Sequence, residues 1–493
     1  MQRDVRSSVW LQRLVSSLTV VILVVVALGA PLIGTPSAYA AGRRGELGQS
    51  TAPDSASISS HPVYLPWVAR QAPRSYSVFG VQMYGALASP GAKLDLAQTA
   101  SVSWVRWPFS WESIEPSDTT PAHYNWASTD ASFAAANTAG LNVIATMTTN
   151  PSWAASVPNG PFDRSGAGAF VEFMTAVVER YDGDGRNDAP GSPVVNYWEI
   201  YNEPDGSSLN RAISAGIGYW GPYPVAYAEM LCAIYPTVKA AAPNAQIVLG
   251  GMAYDRFTDE GGYFERKFLD NVLTAGGGRC LDAVAFHYYP PFEPVWAPYG
   301  PGLSGKANYL RNKLNSYGLT GVPLLVTETG HHSTNDPTWP STPAIEAGYV
   351  IKLFTQAMAS NIAAAIWFTW FDLPGYYIAT GLLNVNGQPK LAYDALKAAR
   401  TKLGNATFQR RLSNGETGSS DVEAYLFRGT YAPLYVVWAN SSTHQVRLPG
   451  KTVRVSGLVG ETLATVRDID DGIADGLITV TARYDPIYVE AIE

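Results

Sequence analysis

The chain has 493 residues with 34 Lys+Arg against 41 Asp+Glu, a formal charge of -7, and is 46% hydrophobic and 15% charged. That balance excludes a disordered polypeptide, a collagen-like chain and a disulfide-stapled miniprotein, and leaves room for two or three domains or one large barrel with an appendage. No basic run outside the N-terminus offers a footprint for phosphate backbones, so nucleic acid is not an expected partner.

In chain order, Arg3, Arg6 and Arg13 precede an uncharged apolar run from Leu14 to Ile33, and Ala38-Tyr39-Ala40 supplies small residues for signal peptidase. Residues 1–40 are expected to be a cleaved signal peptide and the protein secreted, without stable membrane insertion after cleavage. A retained N-terminal anchor is the alternative, because the run approaches the roughly 20 residues that span a bilayer. Residues 41–74, rich in Ser, Ala, Pro and Gly, read as a flexible linker. Cys232 and Cys280 are an even pair that a secreted chain can oxidise, and a bridge and two buried thiols remain equally open.

Over 75–403, short apolar runs alternate with longer amphipathic segments. The runs fall at 77–85, 103–109, 141–149, 195–202, 246–253, 281–288, 322–328 and 363–370, and the clearest helical periodicities at 169–181, 224–241, 263–274 and 344–360. Eight such units predict a parallel (β/α)8 TIM barrel, whose strands are buried on both faces and therefore read as continuous apolar runs. Over 404–493, runs at 422–427, 433–439, 445–449, 452–457, 477–482 and 487–492, separated by Gly, Asn, Ser and Asp, predict a small all-β sandwich.

Barrel chemistry belongs at the C-terminal ends of strands. The fourth run passes through Glu199 into Asn202-Glu203-Pro204, and the seventh ends in Glu328-Thr329-Gly330. Pro204 is expected to hold Glu203 extended at the strand mouth. Two facing carboxylates are what acetal hydrolysis needs: one protonates the departing oxygen while the other attacks or stabilises the oxocarbenium-like centre. At about 5 Å and an effective dielectric near 20, two ionised carboxylates repel by about 3 kcal/mol, which keeps one protonated at neutral pH. Glu199, two residues back on the same face of the strand, reads as structural.

The segments 197–205 (YWEIYNEPD) and 326–330 (VTETG) resemble the clan A retaining glycoside hydrolases, and the chain is most similar to the family 39 type, the β-xylosidase and α-L-iduronidase group. The resemblance covers about 76–403, and the β-sandwich is similar to that family's usual companion domain. It implies that Glu203 is the general acid/base and Glu328 the nucleophile, with retention of configuration. It further implies that Asn202 binds the sugar 2-hydroxyl, Arg106 lies beside Glu328, His287 contacts substrate and Tyr289 hydrogen-bonds the nucleophile. Trp367 or Trp370 is expected to floor the sugar site, with core packing as the competing reading of each. Loops bearing Trp111, Trp153, Trp220, Tyr223, Trp296, Tyr299 and Trp339 are expected to shape further subsites.

Asp182, Asp184 and Asp188, and separately Asp468, Asp470, Asp471 and Asp475, form acidic clusters that lack the spacing of an EF-hand and read better as polar loops than as calcium sites. His331 and His332 have no HExxH partner, and nucleotide and serine-esterase motifs are missing, so no metal and no cofactor is expected. The expected function is that of a secreted retaining glycosidase acting on oligo- or polysaccharides. A carbohydrate-binding protein without catalysis and a transglycosylase are the alternatives; the sugar, the cleavage mode and the oligomeric state are not legible.

Overall fold

The computed structural model describes residues 77–164, 166–375, 378–429 and 432–492; the expected signal peptide and the expected linker lie outside the described residues. Eight parallel strands close into a barrel in the order β1 to β8: Phe79–Gln82, Trp104–Ser110, Asn142–Thr148, Tyr197–Ile200, Gln246–Met252, Ala283–Tyr288, Leu324–Thr329 and Ile362–Trp367. Pairing of Phe79 with Ala365 joins the first strand to the last. The helices that pack on its outer face are α1 (Leu94–Thr99), α2 (Ala127–Thr138), α3 (Gly166–Arg180), α4 (Pro224–Ala241), α5 (Phe268–Thr274), α6 (Gly302–Ser316), α7 (Pro343–Ala359) and α8 (Leu391–Leu403).

Each helix forms for local reasons and docks through one stripe. On α3, Phe170, Phe173, Met174, Val177 and Val178 recur at helical spacing and are all buried, while Arg180 closes the last turn and pairs with Asp130 at 2.6 Å. Pro343 opens α7, and the Thr342 hydroxyl accepts the Ile345 N–H at its N-terminus. The periodic segment 263–274 is helical only from Phe268 onward, because Phe264 is held in the preceding loop by bridges to Gly206 and Phe257.

Inside the barrel the strands' period of two sorts side chains into layers. Trp104, Ile144, Val248, Ala283, Ala285, Leu325, Ala364 and Ile366 form an apolar plug. Two residues further along their strands, above that plug, stand the buried Arg106, Thr146, His287 and Thr327, joined by Glu199 two positions beyond Tyr197. Gly251 makes space for this polar layer: a Cβ there would lie 2.4 Å from both His287 Nε2 and Thr327 Oγ1.

A six-stranded antiparallel sheet and a two-stranded one follow the barrel. The strands are β9 (Thr407–Arg411), β10 (Val422–Arg428), β11 (Pro433–Ala439), β12 (His444–Pro449), β13 (Thr452–Ser456), β14 (Thr462–Arg467), β15 (Leu477–Ala482) and β16 (Ile487–Ala491), in sheet orders β14-β13-β16-β11-β10-β9 and β12-β15. One face encloses a core of its own around Val437, Val446, Leu448, Ile478 and Val489. The other, with Tyr425, Phe427, Val436 and Trp438, merges with the core outside the barrel, where Gln356 on α7 donates to Glu423 at 3.3 Å. The two strands without an apolar signal, β9 and β14, are the edges of the larger sheet; they are mostly exposed and carry polar or charged residues.

Cys232 on α4 and Cys280 before β6 are joined in a disulfide across a separation of 48 residues. Closing a loop of that length restricts the unfolded chain by an amount on the order of 4 kcal/mol. Cys232→Ser is therefore expected to lower the unfolding free energy by about 2 to 4 kcal/mol in urea titrations, and reduction to do the same to the parent chain but not to the variant.

Candidate active site

The polar layer opens into a pocket at the C-terminal end of the barrel, lined by Glu203, His287, Tyr289 and Glu328 together with Phe368, Trp339, Arg211 and Arg256. Beneath it, Arg106 is the organising cation. Its Nε lies 2.7 Å from Glu199 Oε2, its Nη1 reaches Gln82 Oε1 at 3.0 Å and Glu328 Oε2 at 3.5 Å, and its Nη2 donates to Asn202 Oδ1 at 2.8 Å. It sits mid-strand in β2, so it acts from below the site rather than from the strand mouth. Glu199 also accepts from Thr146 Oγ1 at 2.6 Å and Gly251 N–H at 3.0 Å. Burial pushes its carboxyl up, but Arg106 and these donors outweigh that and hold it below its ordinary value, as an ionised anchor.

Glu203 and Glu328 meet over this anchor. Oxygens of both, with a His287 nitrogen, lie within 4.8 Å of one another. Tyr289 OH donates to Glu328 Oε1 at 2.7 Å, and His287 Nδ1 lies 3.0 Å from Glu203 Oε1. Burial, then the charge of Asp255, pushes the Glu203 carboxyl up to about 8, against the pull of Arg106 and Lys306. Burial also raises Glu328, reinforced by Glu203 and opposed by His287, Arg106 and the Tyr289 hydrogen bond. Both carboxyls are therefore elevated, and Glu328 is the one that ionises first, because it accepts from a phenol and faces a guanidinium, whereas Glu203 Oε2 is buried with no hydrogen-bond partner among the described residues. His287 is held down to about 4 by burial and is neutral, and one hydrogen bond joins its Nδ1 to Glu203 Oε1. Two carboxylates and an imidazole are also a donor set for a cation. Arg106 Nη1 at 3.5 Å from Glu328 and Nδ1 aimed at Glu203 put hydrogens where an ion would sit, which suits the set to proton transfer.

Glu203 is not extended as the following proline suggests. Its φ is 49°, and Tyr201 has φ 65°, so both lie in the left-handed region, which costs of order 1–3 kcal/mol each unless the surroundings hold it. Here Glu203 N–H donates to Gly251 O at 2.9 Å and Gly218 N–H to Asn202 O at 2.8 Å, tying the turn to β5 and to the next loop. The turn redirects the Glu203 side chain toward Glu328.

Three expected aromatic contacts are corrected. Trp367 and Trp370 are both 0% exposed, and their indole N–H groups donate to Thr380 O and Ala92 O, so both belong to the core. Trp153 packs its ring on Trp111 and donates to Glu115 O at 3.1 Å, outside the pocket lining. Trp111, Trp220 and Trp296 are likewise buried. The aromatic walls are instead Phe368, one residue beyond β8, and Trp339, whose ring rests 4.7 Å from His331 and 4.5 Å from His332. Those two histidines are buried supports rather than exposed loop residues.

Sequence reasoning missed a cluster of buried charges around Glu203. Asp205 is fully buried, accepts Ala253 N–H at 3.1 Å and Tyr254 N–H at 2.8 Å, and is pushed up to about 8 by burial. Asp255, Arg256 and Lys306 stand beside it, and Asp255-Arg256 directly after the fifth apolar run was the available signal. Elsewhere, the Asp182, Asp184 and Asp188 carboxylates gather within 4.8 Å of one another, and each also accepts a backbone N–H of its own loop. Asp468 accepts Asp475 and Gly476 N–H in the same manner.

The raised carboxyls fix the sign of the pH dependence of stability. Glu203, Asp205 and the buried Glu346 of α7, each pushed up to about 8, keep protons in the folded chain that the unfolded chain releases near pH 4. Their contribution is complete below the unfolded value and is lost as pH rises through the folded one. Urea unfolding is expected to show stability falling from about pH 5 to about pH 9, with a shallower slope in Glu203→Gln; an unchanged slope contradicts the burial effect at Glu203.

The profile of the cellulase family, glycosyl hydrolase family 5, matches residues 73–372. No curated protein matches the chain. Among solved structures, the chain is similar to a family 39 glycoside hydrolase from Bacteroides cellulosilyticus, with 18% identity, 85% of this chain and 81% of that one covered, and a TM-score of 0.65. A glucosidase from Croceicoccus marinus follows at 17% identity, 85% and 97% coverage and a TM-score of 0.56. The catalytic domain of a family 30 xylanase from Talaromyces cellulolyticus is similar at 15% identity, 85% and 98% coverage and a TM-score of 0.56. At these identities the structures bear on the fold, which is shared.

Proposed function

The chain belongs to the cellulase family, glycosyl hydrolase family 5, and is a glycosidase, and we propose that it cleaves O-glycosidic bonds with retention through Glu203 and Glu328. The observation that carries this reading is the approach of the two carboxylates to within 4.8 Å. So close an approach agrees with a double displacement, whose carboxyls stand roughly 5–5.5 Å apart, better than with an inverting pair, which holds a water across about 6.5–9.5 Å.

In the first step the Glu328 carboxylate forms a bond to the anomeric carbon as the glycosidic bond breaks, and the proton on Glu203 passes to the departing oxygen. In the second, water attacks that carbon, its proton returns to Glu203, and Glu328 is released. Arg106 and Tyr289 hold Glu328 ionised and aimed. Arg106 also occupies Asn202 Oδ1, which turns the amide's N–H end toward the sugar 2-hydroxyl. Neutral His287 fixes Glu203 Oε1 and leaves Oε2 for the leaving group. Phe368 and Trp339 take the apolar face of a pyranose in place of the buried tryptophans. We place the enzyme outside the cytoplasm, acting on oligo- or polysaccharides; the N-terminal apolar run with its upstream arginines and the disulfide, a bond of oxidising compartments, support that placement.

Glu203→Gln and Glu328→Gln are each expected to lower kcat/KM on aryl β-glycosides by about 10³-fold while leaving the thermal midpoint, measured at about pH 5, near that of the parent. Azide should restore turnover in both, giving a glycosyl azide of retained configuration with the first and inverted with the second. Wild-type turnover in either variant sinks the assignment. The parent's pH–rate profile should fall on its alkaline side near pH 8, where Glu203 loses its proton, and on its acid side above the ordinary carboxyl value, where Glu328 gains one.

A further inference from the structure

We propose that Arg211 and Arg256 form an anion subsite on the Glu203 side of the pocket, which takes the carboxylate or sulfate ester of an acidic sugar in the leaving-group position. Both guanidiniums lie against the ring of Tyr263, at 3.7 and 4.7 Å from its centroid, and all three residues line the pocket that holds Glu203 and Glu328. Two like charges gathered at one wall of a chain of net charge -7 repel each other, and an anion bound between them relieves that repulsion. Arg256 Nε and Nη2 are buried without a hydrogen-bond partner, and no carboxylate among the described residues forms an ion pair with this side chain. The neighbouring Asp255 makes its ion pair with Lys306, whose Nζ lies 3.6 Å from its Oδ2, and acts on Arg256 only from beyond contact distance. An unpaired guanidinium fork in a partly desolvated wall is the donor geometry that carboxylates and sulfates accept.

The backbone supports the same conclusion. Tyr254 and Arg256 have φ of 45° and 44°, so the left-handed turns after β4 that aim Glu203 are matched by left-handed turns after β5 that aim Arg256. Gly262 permits the second: a Cβ there would fall 1.6 Å from Arg256 O. Arg211 arrives on the short helix Leu209–Ala215 that follows the Glu203 loop. The arginines thus come from the β4 and β5 sides with Glu203, whereas Glu328, Gly330, Trp339 and Phe368 come from the β7 and β8 sides. Glu203 protonates the leaving oxygen, so the sugar attached to that oxygen lies over the arginines. This placement, unlike the anion site itself, rests on the catalytic assignment above.

The test is calorimetric titration of the full chain with glucose, glucuronate and glucose 6-sulfate, in the parent, in Arg256→Gln and in Arg211→Gln, with folding of each variant checked by its thermal midpoint. At least one acidic sugar should bind tenfold or more tightly than glucose, and the arm that does so distinguishes carboxylate from sulfate recognition. That preference should fall severalfold or more in Arg256→Gln and in Arg211→Gln, and a surviving preference in both overturns the proposal, as does equal or undetectable binding of all three sugars by the parent. If one variant does not fold, the other decides. Monosaccharides have no glycosidic bond to break, so the titration reads the anion site whether or not Glu203 and Glu328 carry the chemistry.

Discussion

A buried guanidinium sets the terms for the rest of this molecule. Arg106 lies inside a closed barrel, where an unpaired charge is prohibitively costly, and it is satisfied at once by Glu199, Gln82, Asn202 and Glu328. Glu199 provides the permanent countercharge, reinforced by Thr146 and Gly251. With Glu199 ionised, Arg106 has positive potential left for Glu328, and the two carboxylates above it are driven apart in protonation by their surroundings rather than by their own chemistry. One faces a phenol and a guanidinium; the other faces burial, Asp255 and a neutral imidazole.

The barrel makes that arrangement rigid. Alternate residues of six strands place an apolar plug under the polar layer, so none of the charged side chains can relax downward, and Gly251 lets Glu199, His287 and Thr327 come together where any side chain would block them. The site is therefore built on strands, with loops contributing walls. Strain is concentrated where the strands end: Tyr201, Glu203, Tyr254 and Arg256 all adopt left-handed backbone around the pocket. Such conformations persist only when neighbouring structure over-determines them, which the hydrogen bonds from Glu203 N–H to Gly251 and from Tyr254 N–H to Asp205 accomplish.

The appended β-sheets contribute differently. They share an apolar interface with the outer helices through Tyr425, Phe427 and Trp438, and a buried polar contact through Gln356 and Glu423, but none of their described residues lines the pocket. Their role visible in the structure is to cover the α7 and α8 side of the barrel. The outer walls of the pocket come from the loops after β4, β5, β7 and β8, where Arg211, Arg256, Trp339 and Phe368 stand.

What could be read from the sequence was what repeats or what ends a strand. Apolar runs of strand length alternating with helical periodicity disclosed the eight barrel strands, because a parallel sheet buried on both faces leaves a local signature, and Glu203 and Glu328 stood out because a carboxylate ending such a run needs a reason. Asn202, Arg106, His287 and Tyr289 were reachable through the resemblance that those motifs carried. The polar edge strands β9 and β14 left no apolar pattern, and the eclipse of Trp367 and Trp370 by Phe368 was invisible, since neighbours in sequence face opposite sides of a strand and only the closed barrel fixes which side is the pocket. The left-handed turn at Glu203, the disulfide, the protonation order of the two carboxyls and the gathering of Arg211 with Arg256 were decided by tertiary structure alone. Each depends on distances between segments that lie far apart along the chain, and a sequence encodes those distances only through the fold that it adopts.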